Sequence, residues 1–149
     1  MARMLHRLLD VFASLNSSGV KYLVIGGIAA IAHGVPRTTF DLDMLIEANP
    51  ENARRLLDAL ADAHFGTAML TSPEDLLAHE ITIFRDRVRI DVQTATPGLV
   101  FQEAWQRRAE MTYKDQVFYV VSRQDLIASK RASGRTVDLE DVRILDSGA

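Results

Sequence analysis

Between Tyr22 and Ile46 the chain carries an apolar run, a glycine pair, a short helical stretch, a basic loop and an apolar run broken by two aspartates. That order restricts the fold more than any other feature. Tyr22-Leu-Val-Ile25 reads as a short buried strand, and Gly26-Gly27 as the turn after it. Ile28 to His33 reads as a short helix closed by Gly34, Val35 to Phe40 as a loop, and Asp41 to Ile46 as a second strand. Alternate residues of a strand share a face, about 6.6–6.8 Å apart. Asp41 and Asp43 therefore stand side by side, while Leu42, Met44 and Ile46 point into a core. Two carboxylates on one face resist joint ionisation, and a divalent cation removes that penalty. Carboxylate oxygens reach roughly 3 Å beyond the backbone and magnesium binds oxygen at about 2.0–2.1 Å, so one ion fits between them.

A second alternating segment follows. Ile81 to Phe84, a charged turn at Arg85-Asp-Arg87, and Val88 to Thr94 read as a β-hairpin. Val88, Ile90, Val92 and Thr94 share one face; Arg89, Asp91 and Gln93 share the other. If this strand neighbours the Asp41/Asp43 strand, at about 4.8 Å, Asp91 supplies a third carboxylate. Three carboxylates can hold two divalent ions about 3.5–4 Å apart, an arrangement suited to in-line phosphoryl displacement. Taken alone, Asp91 reads equally well as a solvated charge. Asp-x-Asp alone is a weak signal, which metal-dependent glycosyltransferases also use to hold a sugar diphosphate.

Glycines at a strand-to-helix turn allow close backbone approach, and the amides of the following helix favour a phosphate. Arg37 lies in the loop before Asp41, where it can fork onto a phosphate, onto an aspartate, or face solvent. His33 reads as a helix-end histidine contacting a carbonyl, and Thr39 as a turn residue. On the helix from Asp125 to Ser133, Leu126 and Ile127 mark an inward stripe that continues at Lys130 and Arg131. Lys130 is thus expected to line a cleft and meet a phosphate rather than to reach outward along the surface. Asp138 and Asp141 read as a helix cap and a first-turn acid.

The remaining elements are a helix from Met4 to Leu15, one opened by Asn49-Pro50 and running to about Ala63, and one opened by the capping box Ser72-Pro-Glu-Asp75. Val100 to about Arg108 is helical, Val117 to Val121 a strand, Ser122 to Asp125 a second capping box, and Asp138 to about Leu145 a last helix. The order implies an α+β fold, a mixed sheet flanked by helices, as a single domain over residues 1–149. With 48% hydrophobic and 25% charged residues the composition is that of a globular protein, and no apolar run is long enough to span a membrane. The N-terminus lacks the unbroken apolar stretch of a signal peptide. The absence of cysteine excludes disulfides, thiolate metal sites and cysteine nucleophiles. Cytoplasmic localisation is the expectation. A net charge of −3 argues against a general nucleic-acid-binding surface.

With these residues in hand, the chain resembles the nucleotidyltransferase superfamily that includes DNA polymerase β, and more narrowly its small bacterial abortive-infection and toxin–antitoxin members. The segment carrying the resemblance is Gly26-Gly-Ile-Ala-Ala-Ile-Ala-His-Gly-Val-Pro-Arg-Thr-Thr-Phe-Asp-Leu-Asp43, joined by Arg89-Ile-Asp91-Val and by Lys130 through Asp138-Leu-Glu-Asp141. The resemblance implies that Asp41, Asp43 and Asp91 bind Mg2+ or Mn2+. It also implies that Gly26 and Gly27 hold a nucleoside triphosphate, with Lys130 or Arg37 helping. Where many such enzymes have a serine after the first glycine, this chain has Gly27, so backbone amides would take over its phosphate contact. The implied reaction moves a nucleoside monophosphate to an acceptor hydroxyl, with tRNA, a protein or a small molecule as acceptor. Two rival expectations are a non-catalytic, antitoxin-like protein that acts by binding a partner protein, and a glycosyltransferase.

Overall fold

The computed structural model describes residues 2–147, with side chains from Leu5 onward. Residues 1, 148 and 149 of the expected domain lie outside the described residues. Among the described residues, seven α-helices flank one six-stranded mixed sheet of order β3-β4-β2-β1-β6-β5. The strands are β1 (Tyr22–Ile25), β2 (Asp41–Ile46), β3 (Ile81–Arg85), β4 (Arg89–Gln93), β5 (Ala109–Tyr113) and β6 (Gln116–Val120). The helices are α1 (Ala2–Ser17), α2 (Gly26–Ala32), α3 (Pro50–Asp62), α4 (Pro73–Leu77), α5 (Phe101–Gln106), α6 (Arg123–Ser133) and α7 (Thr136–Asp146). No helix among the described residues is long and apolar enough to cross a membrane.

Local chemistry accounts for most boundaries. The Asn49 side chain accepts from the Asn52 amide at 2.8 Å, and Pro50 opens α3. Ser72 and Ser122 cap α4 and α6 in the same way, each accepting an amide at 3.1 Å. Gly134 ends α6 in the left-handed conformation, φ +68°.

The core lies on one face of β2. Leu42, Met44 and Ile46 are fully buried there, as alternation requires. Helix α1 packs on α3 and β6, and Phe12 of α1 stacks on Phe118 of β6 with ring centroids 4.7 Å apart. The opposite face leaves Asp41 and Asp43 half-buried.

The sequence pattern misses two elements. Strand β5 follows α5 directly and pairs with β6 through a turn at Lys114 and Asp115, both left-handed at φ 48° and 67°. Asn-Gly or Asp-Gly is the usual signature of such a turn, and Lys-Asp does not announce it. The second is a 3-10 turn over Gly66–Leu70, too short to show a period. Two of the boundary differences bear on the site. Helix α2 begins at Gly26 itself, so the glycine pair is the first turn of the helix. Helix α7 begins at Thr136, with Arg135 at its cap position and no side-chain cap bond; Asp138 therefore lies in the first turn, not at the cap.

Candidate active site

Pairing across the sheet brings the acids together. β2 and β4 run parallel in the register Asp41↔Arg89, Leu42↔Ile90 and Asp43↔Asp91. Asp43 and Asp91 are thus direct cross-strand neighbours on the face away from the core. β1 runs antiparallel to β2 with Ile25 opposite Asp43, so the next residue, Gly26, lies over the Asp43 carboxylate. A Cβ on Gly26 would fall 2.3 Å from Asp43 Oδ2, and φ there is +67°. A Cβ on Gly27 would meet Thr39 Oγ1 at 2.8 Å. Both glycines are required by close approach, as the turn chemistry suggests. Gly26→Ala is expected to cost about 1–2 kcal/mol of stability from backbone strain alone and to displace Asp43. Urea unfolding of the variant checks the first effect and divalent-cation binding the second.

Asp43 is the most perturbed carboxyl. Burial pushes it up to about 7, helped by repulsion from Asp91 and Asp41 and by a hydrogen bond with Asp91; Arg89 opposes the rise. A raised carboxyl contributes most to stability below its unfolded pKa, and that contribution is lost as pH rises through the folded value. Stability of the metal-free protein is therefore expected to fall between about pH 4 and pH 8 by a few kcal/mol on account of this group. Asp43→Asn is expected to flatten the fall, and thermal unfolding in chelator across that range measures both curves.

Arg89 is a site residue that the motifs do not reveal. Its Nε donates to Asp91 Oδ1 at 2.8 Å and its Nη2 to Oδ2 at 3.1 Å, while Nε lies 3.8 Å from Asp41 Oδ2. The available signal was the alternation that sets Arg89 on the same face as Asp91, two residues away. Among the described residues, no group of three or more His, Cys, Asp or Glu side chains is arranged to hold a metal ion. The Arg89 fork, which takes both oxygens of Asp91, is consistent with that. The donor chemistry nevertheless suits a hard divalent cation: adjacent carboxylates, one of them driven toward protonation by burial and by repulsion from its neighbours.

These groups line a cleft of about 450 Å³. Ile25, Gly26, Asp41, Asp43, Ile81, Arg89, Asp91 and Gln93 line it from the sheet and the start of α2; Thr96 and Pro97 come from the loop after β4, and Ser129, Lys130, Ser133, Arg135 and Asp138 from α6, the turn after it and α7. Lys130 reaches the cleft wall as expected, but its ammonium group is not free. It is 3% exposed and bonds Asp138 at 3.1 Å and Asp141 at 2.9 Å. Arg37 donates to Asp141 at 2.6 Å instead of forking onto Asp41 or Asp43. Asp138 accepts from Arg135 Nε at 2.8 Å and from the Ser133 hydroxyl. Burial alone would raise the Asp138 carboxyl, yet its bonds to Ser133, Arg135 and Lys130 hold it below the usual carboxylate range. Asp138 and Asp141 are therefore the acidic half of a buried ion network, in place of a cap and a free first-turn acid. His33 Nε2 lies 2.8 Å from the Val121 carbonyl oxygen, the structural contact expected of it.

A mixed sheet with a glycine-opened helix over paired strand carboxylates defines a protein of nucleotidyltransferase type. The chain belongs to the family described as "Nucleotidyltransferase of unknown function (DUF6036)", whose model matches residues 5–146. No curated protein matches it by sequence. Among solved structures, a candidate nucleotidyltransferase from Thermotoga maritima superposes with a TM-score of 0.64 at 14% identity, covering 99% of this chain and 94% of that one. The lincosamide antibiotic adenylyltransferase LnuA, solved with lincomycin bound, gives a TM-score of 0.61 at 16% identity and covers 97% of both chains. An antigenic nucleotidyltransferase-like protein from Paracoccidioides brasiliensis gives 0.56 at 16% identity, over 96% of this chain and 75% of that one. At these identities the three likenesses establish a shared fold.

Proposed function

We propose that the chain is a metal-dependent nucleotidyltransferase: an acceptor hydroxyl attacks the α-phosphorus of a nucleoside triphosphate, takes the nucleoside monophosphate, and pyrophosphate leaves. The observation that carries this reading is the register Asp43↔Asp91 beneath Gly26, which puts two carboxylates and a close backbone approach in one cleft. Asp43 and Asp91, with Asp41 beside them, would hold Mg2+ or Mn2+. That ion would supply charge neutralisation at the reacting phosphate and acidify the acceptor hydroxyl. Gly26 and Gly27, at the uncapped start of α2, bring backbone amides to the triphosphate. Asp91, the outermost of the acids toward β3, would help activate the acceptor hydroxyl. Lys130 and Arg37 act through Asp138 and Asp141, holding α6, α7 and the loop before β2 as the cleft wall. Positioning and charge stabilisation then carry most of the rate. The fold shared with LnuA, an adenylyltransferase by name, makes adenylyl transfer one reaction within this class.

A second reading is favoured by the Arg89 fork on Asp91: a non-catalytic member of the fold, antitoxin-like, that binds a partner protein. Calorimetric titration with a non-hydrolysable triphosphate separates the two. The catalytic reading predicts binding that requires Mn2+; the non-catalytic reading predicts that added Mn2+ makes no difference.

A further inference from the structure

Strand β3 ends the sheet, and hydrogen-bond parity shows which of its groups are free. The Thr94 amide donates to Glu80 O at 2.9 Å and the Asp86 amide to Val88 O at 3.1 Å. In the β3–β4 register these mark the hydrogen-bonded pairs, so residues 82 and 84 also turn their amides and carbonyls toward β4. The amides and carbonyls of Ile81, Ile83 and Arg85 therefore point away from the sheet, and among the described residues they have no other backbone partner. The side chains of these residues share the cleft face with Gln93 and Asp91, and Ile81 and Ile83 are 51% and 43% exposed. The 3-10 turn packed against β3 adds Met69 and Leu70, 77% and 85% exposed. Exposed edges normally carry charged side chains, proline or a bulge to prevent pairing; β3 has neither proline nor a bulge, and its one charge, Arg85, stands at its end and leaves Ile81 to Ile83 unguarded.

We infer that β3 pairs antiparallel with β3 of a second copy of this chain, joining two six-stranded sheets across a twofold axis at Thr82. The sequence of the edge selects both the partner and the register. With Thr82 opposite Thr82 of the partner subunit, the outward groups of Ile81 meet those of Ile83 of the partner subunit, and the reverse. Each pair then buries two isoleucines on the cleft face, and Thr-Thr pairing falls on the other. Moving the axis to Ile83 would set Ile81 against an arginine. A slip of one residue would oppose free groups to groups already bonded to β4 and swap the faces. Because Ile81 lines the cleft, Ile83 of the partner subunit would extend its apolar wall by one strand spacing, about 4.8 Å.

Sedimentation velocity over the micromolar range, with residue-resolved amide exchange, tests the inference. The wild type is expected to sediment as a dimer, with amides 81 and 83 protected along with 82 and 84. Ile83→Lys puts a charge at an exposed position and is expected to raise the dissociation constant at least about tenfold. It should release only amides 81 and 83 and leave the far-ultraviolet spectrum unchanged. A monomeric wild type, or fast exchange at 81 and 83 in the wild-type protein, overturns the proposal even if the variant cannot be purified. Protection of those amides only on adding a foreign protein overturns it in favour of another strand donor.

Discussion

Asp43→Ala is expected to lower nucleotide transfer by at least about 10²–10³-fold while leaving the fold intact. Asp43 sits at the junction of three features: it pairs with Asp91 across the sheet, lies two residues from Asp41 on the same face, and touches Gly26. Its carboxyl gains little from these neighbours when ionised, since burial and two nearby acids push it up to about 7. Removing it should therefore raise the midpoint of thermal unfolding at neutral pH even as activity disappears. Loss of function joined to a gain in stability is the signature of a group retained for chemistry rather than packing. Transfer of label from the α-phosphate of a triphosphate, run with Asp58→Ala as a control on the exposed face of α3, measures the first effect, and calorimetry the second. Full transfer by Asp43→Ala would remove the mechanism.

Lys130→Met should act in the opposite way, through the fold. Lys130 is buried with Asp138 and Asp141, each 4% exposed. Breaking a buried ion pair by deleting one partner costs more than the pair contributes, about 3–5 kcal/mol in the general case. Here Asp138 keeps Arg135 and Ser133, and Asp141 keeps Arg37, so about 2–4 kcal/mol is expected. Urea unfolding at neutral pH measures it. Triphosphate affinity should fall less than stability does, because the ammonium group acts on the cleft through its aspartates. If Lys130→Met unfolds like the wild type yet loses triphosphate binding, the lysine contacts phosphate directly.

The contrast between these residues shows what the sequence could and could not convey. Alternation put Asp41 and Asp43 on one face and Asp91 on the outer face of its strand, because side-chain direction in a strand is a local property. That β2 and β4 are parallel neighbours, with Asp43 opposite Asp91, is set by packing between segments nearly fifty residues apart, and no local pattern encodes it. Lys130 was legible as a basic residue on an inward stripe. Its partners were not, because they belong to a later helix whose start the sequence placed at Asp138 instead of Thr136. Strand β5 was lost because its turn uses Lys114 and Asp115 in a backbone conformation that glycine or asparagine normally signals. Arg89 escaped notice because motif reading attends to the acids and not to the base between them.

The most direct test of the central claim is the anomalous difference density of a crystal soaked with Mn2+ and a non-hydrolysable nucleoside triphosphate. The account predicts manganese within about 2.2 Å of oxygens of both Asp43 and Asp91, with the phosphates against Gly26 and Gly27. Nucleotide bound with no manganese at these carboxylates, or manganese held elsewhere while Arg89 still grips Asp91, would contradict it.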